Sequence, residues 1–207
     1  MTTLYFLRHG ETEYNRLGIV QGSGIDSDLN EEGLRQAEAF FDFYRSEPFD
    51  AVYVSTLRRT HQTMSFWHTL GYTPQAERGL DEFGWGIHEG STPSESFKHA
   101  FRHILDRWAQ GYLDERVDGG ESPLEAWARA EGFFRSLPVR YPEGRILLCS
   151  HGRQLRVILS MLIHGSLQEM ERFSHHNTAL SIVQMAPDGA CTLELHNDVR
   201  HLDPVSA

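Results

Sequence analysis

Lysine and cysteine are the two scarcest residues in this 207-residue sequence. Lys98 is the only lysine among 19 cationic side chains, so arginine carries nearly all of the positive charge. Cys149 and Cys191 could form at most one disulfide, and the apolar run at 145–149 favours a small buried side chain at Cys149. The sequence therefore excludes a fold that depends on a framework of disulfides.

Long apolar runs and targeting segments are also missing. No stretch approaches the length that a membrane span needs. The residues after Met1 contain no basic region followed by a cleavage site. The formal net charge of −10 argues against non-specific binding to nucleic acid and against anionic membranes. We expect a cytoplasmic protein with neither nucleic acid nor membrane as a partner, and the sequence leaves open whether it forms a homodimer.

Several well-known ligand motifs are absent. There is no Walker loop, Gly22-Ser-Gly24 is not a dinucleotide fingerprint, and Ser150 lacks the nucleophile elbow of serine hydrolases. Twelve histidines invite a metal site. However, no His-Glu-X-X-His or Cys-X-X-Cys accompanies His99 and His103 or the adjacent pair His175-His176. We therefore predict no metal and no cofactor.

Three segments share one pattern, in which a short apolar run is followed by a polar loop and then by a helix. The runs lie at 3–7, 50–54 and 146–149. The helices are predicted from Asn30 as N-cap, over 57–70 with Ser55 as N-cap, and over 155–163. In the first of these, Leu34, Ala37, Phe41 and Tyr44 are expected to form the buried face. Strands that alternate with helices in this way predict an α/β fold, with three α/β/α layers and a mostly parallel central sheet.

Two further segments complete the predicted domain, which spans 1–207. Residues 90–120 depart from the alternating pattern and are rich in aromatic side chains, which predicts a helical insertion over the C-terminal edge of the strands, acting as a lid. Residues 179–185 and 192–195 are predicted to form a hairpin around the Pro-Asp-Gly turn at 187–189.

The three predicted units deliver polar residues to one edge of the sheet. Ligands of open α/β sheets bind beyond the carboxyl ends of the strands, where helix N-termini also favour anions. Arginine suits phosphate better than lysine does, because its planar fork can donate two parallel hydrogen bonds. The joint placement of these residues therefore predicts an anion site, formed by Arg8 and His9, Ser55 and Arg59, and Ser150 and His151.

Ordered motifs cover nearly the whole chain and resemble the histidine phosphatase superfamily, the phosphoglycerate-mutase-like proteins. Residues 7–15 read Leu-Arg-His-Gly-Glu-Thr-Glu-Tyr-Asn, and Gln21-Gly22 precedes the loop at 26–33. The other matches are Ser55 to Thr63, Leu80-Asp-Glu82, Gly120-Glu-Ser122 and Ser150-His-Gly152. The resemblance implies a phosphomonoester hydrolase that acts on a small phosphorylated metabolite through a phosphohistidine intermediate.

The resemblance also implies roles for individual residues. His9 is the nucleophile, and its second ring nitrogen should donate to a fixed acceptor such as a backbone carbonyl. Arg8 and Arg59 disfavour the imidazolium form of His9. Glu82 is the proton donor to the leaving oxygen and then the base that activates water. The phosphoryl oxygens are held by Arg8, Arg59, His151 and Asn15, and further substrate contacts are expected from Gln21, Gly22, Ser55 and Gly152.

The sequence departs from the family pattern at four positions. Thr56, Thr60 and Asp28 replace Pro, Ala and Pro, and His88 stands where the family usually has Trp. None of these is a predicted catalytic position. His88 is expected near the substrate end of the site, which leaves the specificity undetermined.

Two alternatives to a phosphatase are considered. A cofactor-dependent phosphoglycerate mutase would carry a Glu-Arg-His-Tyr-Gly segment and a later Arg-Arg pair, whereas Glu82 is followed here by Phe83-Gly84-Trp85 and the insertion has no such pair. A non-catalytic module that binds a phosphate ligand would be expected to have lost one of the catalytic residues, and all are present. The phosphatase is the favoured prediction.

Overall fold

A six-stranded sheet forms the centre of the computed structural model, which describes residues 1–92 and 94–203. The strands are β1 Thr2–Arg8, β2 Ala51–Val54, β3 Gln75–Ala76, β4 Arg145–Ser150, β5 Leu180–Met185 and β6 Cys191–Asp198. Their order across the sheet is β3-β2-β4-β1-β5-β6. The first four run parallel, and β5 and β6 add an antiparallel hairpin at one edge. The mostly parallel sheet and the hairpin are confirmed.

Helices cover both faces of this sheet. They are α1 Glu13–Leu17, α2 Glu31–Tyr44, α3 Arg58–Thr63, α4 Glu95–Ala109, α5 Pro123–Arg140 and α6 Gly152–His164. Short 3-10 helices lie at Ser65–Leu70, Arg78–Leu80, Gly86–His88, Leu167–Arg172 and Arg200–Leu202. Within the described part of the chain, no helix is both long and apolar enough to cross a membrane.

Side chains that alternate along each strand supply two separate cores. In β1, Leu4 and Phe6 pack with α5 and α6 on one face, while Tyr5 and Leu7 pack with α2 on the other. Because both faces are buried, the strands read as continuous apolar runs rather than as alternating patterns. The predicted three-layer α/β/α arrangement is confirmed.

A third core lies under the insertion, beyond the carboxyl end of the parallel strands. Helix α4 falls within the predicted range of 90–120, and its Ile104 and Trp108 pack with Phe83 and Trp85. A helix therefore lies within the range for which the sequence predicts a helical insertion.

Local predictions around α2 and α3 need correction. Asn30 caps α2 as expected. Leu34, which was predicted on the buried face of this helix, is 45% exposed, whereas Phe40, which was not predicted there, is fully buried. The predicted continuous helix over 57–70 is an α-helix that ends at Thr63, followed by the 3-10 helix Ser65–Leu70. Apolar spacing over so short a segment does not distinguish the two kinds of winding.

The predicted N-cap of α3 is also wrong. Leu57 occupies the N-cap position, and the hydroxyl of Ser55 accepts a hydrogen bond from its N–H at 3.1 Å. The following N–H, that of Arg58, donates to the carboxylate of Asp26 at 2.7 Å. A carboxylate from a distant loop therefore satisfies the helix start, which local sequence cannot reveal.

Candidate active site

His9 lies directly after β1, where β1 and β4 end side by side with Arg8 opposite Ser150. The His9 ring is 2% exposed, and its Nδ1 lies 2.7 Å from the carbonyl oxygen of Gly10. A carbonyl oxygen only accepts, so Nδ1 carries the proton and Nε2 keeps its lone pair. Burial, followed by the charges of Arg59 and Arg8, lowers the pKa of His9 well below its usual value. His9 is therefore a neutral imidazole whose Nε2 can attack.

Arg8 lies beside His9 and is held from two sides. Its guanidinium donates to the backbone carbonyl of His175 at 2.7 Å. It also lies against Gly152, where a Cβ would come within 3.3 Å of the Arg8 Nε. That Nε is buried and has no hydrogen-bond partner among residues 1–92 and 94–203. The glycine at the start of α6 thus leaves room for a guanidinium with an unused donor.

Arg59 supplies a second unused donor. It is fully buried in the first turn of α3, and its Nε donates to His151 Nδ1 at 3.1 Å and its Nη1 to the Ile25 carbonyl at 2.7 Å. Its Nη2 is buried without a partner in the described residues. A buried unpaired donor costs about 1–3 kcal/mol. Two such donors, both close enough to His9 to lower its pKa, define a place suited to an anion.

His151 lies next to His9, with ring centres 5.0 Å apart. Its Nδ1 accepts from Arg59, so Nε2 carries the proton and donates to the Ser55 hydroxyl at 2.7 Å. Burial, followed by the charge of Arg59, lowers the pKa of His151 well below its usual value. Because both ring nitrogens are engaged, a direct contact with phosphate requires His151 to give up one of these bonds.

Glu82 reaches the site from the loop that follows the 3-10 helix Arg78–Leu80. Its side chain is buried, and Oε1 accepts from the backbone N–H groups of Phe83 at 2.8 Å and Gln154 at 3.0 Å. Oε2 accepts from the N–H of Arg153 at 3.4 Å. Gln154 and Arg153 belong to the first turn of α6, whose free N–H groups attract a carboxylate. The start of α6 therefore fixes Glu82 at the pocket.

Arg129 of α5 braces this segment, and the sequence reasoning did not identify it. Its guanidinium donates to the carbonyl of Asp81 at 2.7 Å, to the side-chain oxygen of Gln154 at 2.9 Å and to the carboxylate of Glu121 at 2.8 Å. Arg129 thus links the backbone before Glu82 to Gln154, whose N–H holds the Glu82 carboxylate. The match at Gly120-Glu-Ser122 indicated Glu121 without indicating its partner.

A pocket of about 270 Å³ opens in front of these residues. Six of the predicted residues line it, namely Arg8, His9, Asn15, Gln21, Glu82 and Gly152. Gln21 is fixed through its amide, which donates to the Thr12 hydroxyl at 2.5 Å and accepts from Ser27 at 2.5 Å. Most of the residues selected by sequence thus converge on this pocket.

The other predicted residues are not among those that line this pocket. Arg59, His151 and Ser55 form a hydrogen-bonded row next to His9. At Gly22, a Cβ would come within 1.9 Å of the Glu89 carboxylate, so this glycine allows Glu89 to pack closely. The geometry therefore places Ser55 and Gly22 where they support the site rather than line the described pocket.

Sequence reasoning missed the other residues that line the pocket. They are Val20, Trp85, Phe97, Phe101, Arg153, Arg156 and His175. Arg153 directly follows the His151-Gly152 motif, and Arg156 lies three residues later on the same helix face, a spacing from which both could have been identified. The sequence suggests His175 only as a candidate metal ligand. His88, the residue that departs from the family pattern, packs against the ring of Phe97 at 5.1 Å and so acts on the wall indirectly.

The fold and the site together define an α/β enzyme that acts on phosphate esters. The chain belongs to the histidine phosphatase superfamily (branch 1), whose family model matches residues 4–199. It is 27% identical to phosphoserine phosphatase 1 of Hydrogenobacter thermophilus over 186 residues, which cover 89% of this chain and 87% of that protein. It is 31% identical to a probable phosphoglycerate mutase of Yersinia pestis over 209 residues, covering 98% of this chain and 96% of that protein.

Solved structures share the fold. A mycobacterial glucosyl-3-phosphoglycerate phosphatase in complex with VO3 superposes with a TM-score of 0.84 at 23% identity, covering 94% of this chain and 98% of that one. The alpha-ribazole phosphatase of Shigella flexneri superposes with a TM-score of 0.81 at 22% identity, covering 95% and 96%. These two structures support the fold, while the family model and the phosphoserine phosphatase relative support a phosphoric monoester hydrolase.

Proposed function

We propose that this chain hydrolyses small phosphomonoesters through a phosphohistidine formed on His9. The observation that carries the proposal is the pair of unpaired donors, Arg8 Nε and Arg59 Nη2, beside a neutral imidazole with a free Nε2. A phosphoryl group would satisfy both donors and lie within reach of the nucleophile. The pocket of about 270 Å³ lies below the range of about 300–1,000 Å³ for sites that hold drug-sized ligands, which favours a small metabolite.

The reaction has two steps. In the first, Nε2 of His9 forms a bond to phosphorus while the bond to the ester oxygen breaks, and the Glu82 carboxyl gives its proton to that leaving oxygen. In the second, the Glu82 carboxylate takes a proton from water as the water oxygen attacks phosphorus. The bond between phosphorus and His9 breaks, and inorganic phosphate leaves. Glu82 ends in the protonated form in which it began.

Arginine and histidine side chains stabilise both transition states. Phosphoryl transfer develops charge on the three equatorial oxygens, and preorganised donors near those oxygens lower the barrier. Arg8 and Arg59 are held by other contacts and so need little reorganisation. We assign the orientation of the substrate to Asn15, Gln21 and Gly152 on the pocket wall, and the orientation of His151 to Ser55.

Trapping the intermediate tests the proposal. Rapid quenching with a labelled phosphomonoester is expected to give acid-labile, base-stable label on His9. The His9→Ala variant should neither trap label nor turn over. Label on a serine, or full activity of His9→Ala, would defeat the mechanism.

A phosphoglycerate mutase is the second candidate, favoured by the 31% identity to a protein of that name. In a mutase the phosphoryl group on His9 passes to a second substrate hydroxyl instead of to water. The two candidates are separated by 3-phosphoglycerate with a 2,3-bisphosphoglycerate primer. Release of inorganic phosphate faster than formation of 2-phosphoglycerate identifies a phosphatase, and the reverse identifies a mutase.

We propose further that the reaction needs no metal. Residues 1–92 and 94–203 contain no group of three or more His, Cys, Asp or Glu side chains that could hold a metal ion. Arg8 and Arg59 supply the positive charge that a metal would otherwise bring to the phosphoryl group. Activity is expected to survive excess EDTA. Complete loss that a divalent ion restores would overturn this prediction.

We also propose a cytoplasmic, single-domain protein in which 90–120 acts as a lid. Support comes from α4, whose Phe97 and Phe101 form part of the pocket wall. A displacement of this helix would change access to His9.

A further inference from the structure

Two arginines on α6 line the pocket beyond those that serve the phosphoryl site. Arg153 and Arg156 are three residues apart, so both project from one face of the helix. Their side chains are 9% and 24% exposed, which is low for arginine. Neither is needed to explain how His9, Arg8 and Arg59 hold a phosphoryl group.

The two guanidiniums share one carboxylate. Arg153 pairs with Oε1 of Glu171, and Arg156 Nη1 lies 2.7 Å from Oε2 of the same side chain. Two positive charges on one negative charge leave an excess of one. Burial and then the charge of Arg153 lower the pKa of Arg156, and together they outweigh the opposing charges of Glu171 and Glu82. A second anion at this place would compensate the excess charge.

Two tryptophan rings fix Arg153 in position. Its guanidinium lies 5.5 Å from the ring centre of Trp85 and 6.0 Å from that of Trp108. Such cation–π contacts orient the fork without occupying its hydrogen-bond donors. The donors that Glu171 does not use remain available to a ligand in the pocket.

The spacing along α6 suits a small bifunctional ligand. Gly152 lies against Arg8 of the phosphoryl site, and Arg156 is four residues further on. At 1.5 Å per residue, this corresponds to about 6 Å along the helix. Three- or four-carbon skeletons span such a distance between a phosphoryl group and a second charged group.

We propose that Arg153 and Arg156 form a subsite for a second anionic group on the substrate. The preferred substrates are then small phosphomonoesters that also carry a carboxylate or a second phosphate. This inference rests on the proposed function and adds the substrate class to it. Arginine forks bind both kinds of anion, so the shared chemistry is a planar or tetrahedral oxyanion.

A matched pair of substrates tests the subsite. 3-Phosphoglycerate and glycerol 3-phosphate differ only in a carboxylate against a hydroxymethyl group. The wild-type chain is expected to show the higher kcat/KM for the acid. In Arg153→Met and Arg156→Met the ratio of the two kcat/KM values should fall by about 10- to 100-fold, the value of a hydrogen bond to a charged group. Propane-1,3-diol bisphosphate and propane-1,3-diol monophosphate form the corresponding pair for a second phosphate, and the ratio of their kcat/KM values is measured in the same way.

Glu171→Gln provides a variant with the opposite expectation. It removes the carboxylate that competes for both arginines, so the ratio should rise several-fold. Arg172→Met is the control, because Arg172 is exposed and pairs with Glu169 outside the pocket. That variant removes the same charge and should leave the ratio unchanged.

The outcomes distinguish this inference from the function on which it rests. Equal losses on both members of each pair in Arg153→Met and Arg156→Met, with no rise in Glu171→Gln, would overturn the subsite while the phosphatase stands. A wild-type ratio near one in both pairs would also overturn it. Failure of the wild-type chain to hydrolyse any phosphomonoester would instead reject the proposed function. A preference confined to one pair supports the subsite and identifies its anion.

Discussion

Arg58 and Arg59 are adjacent in the sequence and lie in opposite environments. Arg59 is fully buried beside His151, whereas the Arg58 side chain is 55% exposed and pairs with Asp28. Arg59→Ala is expected to lower kcat by about 10²–10³, the usual cost of losing one electrostatic donor in a preorganised site. Steady-state kinetics on one phosphomonoester measures this effect.

Arg58→Ala is the matched control for that measurement. An exposed ion pair contributes little, so kcat should change by less than about threefold. A larger loss from Arg58→Ala than from Arg59→Ala would mean that the guanidinium at the phosphoryl group has been assigned to the wrong residue.

The role of Glu82 predicts an effect that depends on the leaving group. Glu82→Gln should slow hydrolysis of an alkyl phosphate by about 10²–10⁴, because the leaving alkoxide needs a proton. With p-nitrophenyl phosphate the first step hardly needs an acid, so phospho-His9 should form at nearly the normal rate. Its hydrolysis would still lack a base, which gives a burst followed by slow turnover in stopped-flow measurements.

Asp81→Asn is the control for Glu82. Asp81 is the preceding carboxylate, and it accepts hydrogen bonds from the backbone N–H and the hydroxyl of Thr56 at 2.7 Å and 2.9 Å. Its loss should affect both substrates alike and give no burst. Equal losses in Glu82→Gln without a burst would contradict the assignment of Glu82 as acid and base.

Residues that directly follow a strand could be predicted from the topology, and the helical residues Asn15 and Arg59 from the family motifs, whereas Arg153 and Arg156 were not identified. Arg8 and His9 directly follow an apolar run, so the topology alone brings them to the sheet edge. Whether Arg153 or Arg156 faces the pocket depends on the rotation of α6 about its axis, which its packing on the sheet decides. The tie between Arg129 and Glu121 depends on the tertiary path of the loop before α5.

At the scale of elements, the loop after β1 and the start of α2 approach so closely that only glycine fits. A Cβ on Gly33 would come within 2.1 Å of the Glu11 carbonyl, and a Cβ on Gly10 within 2.5 Å of the Gly33 carbonyl. Gly33→Ala should lower the free energy of unfolding by about 1–3 kcal/mol, the usual cost of overpacking. It should also reduce activity, because the displaced loop carries His9. Urea unfolding and kinetics measure the two effects.

Gly132→Ala is the comparison for that substitution. Gly132 lies on the exposed side of α5, and a Cβ there would contact nothing within 4 Å. Alanine should raise the free energy of unfolding by about 0.5–1 kcal/mol, because it is the better helix former. A stabilised Gly33→Ala protein would show that the two elements can separate at little cost.

Helices and strands also differ in how well they can be predicted from their sequences. Strands β1, β2 and β4 are apolar on both faces, and Asn30 marks the start of α2, so these were predictable. Helix α5 was not predicted as an element, although Ser122 and Glu125 form a capping box at its start. Pro138 lies inside this helix and weakens its helical signal. Strand β3 has two exposed residues and offers no apolar pattern at all.

For the whole molecule, buried histidines predict a loss of stability in acid. Burial lowers the pKa of His175 to about 3 and that of His201 to about 4, and it also lowers the pKa values of His9 and His151. The unfolded chain titrates near 6.5 and so binds more protons than the folded chain below that pH. The histidine contribution to stability is therefore complete above about pH 6.5 and is lost as the pH falls toward 4.

His201→Gln tests this linkage away from the pocket. His201 is 6% exposed and its Nε2 lies 3.1 Å from the Thr178 hydroxyl. Between pH 6 and 4.5, the free energy of unfolding should fall less steeply in the variant than in the wild type, by about 1 kcal/mol per pH unit. The exposed His61→Gln should leave the slope unchanged. Identical slopes for His201→Gln and wild type would show that His201 does not contribute.

Helix α4 carries the only lysine of the chain, and this gives an experimental handle that needs no engineering. The Lys98 side chain is 50% exposed and follows Phe97 of the pocket wall. A fluorophore that reacts with amines at a pH high enough to deprotonate lysine would mark one side chain, on the element proposed to move when substrate enters, and the α-amino group of Met1 can be blocked beforehand at a lower pH. Energy transfer from Trp85, which lies outside α4, to that label would follow opening and closing in the native protein, in real time and without an introduced cysteine.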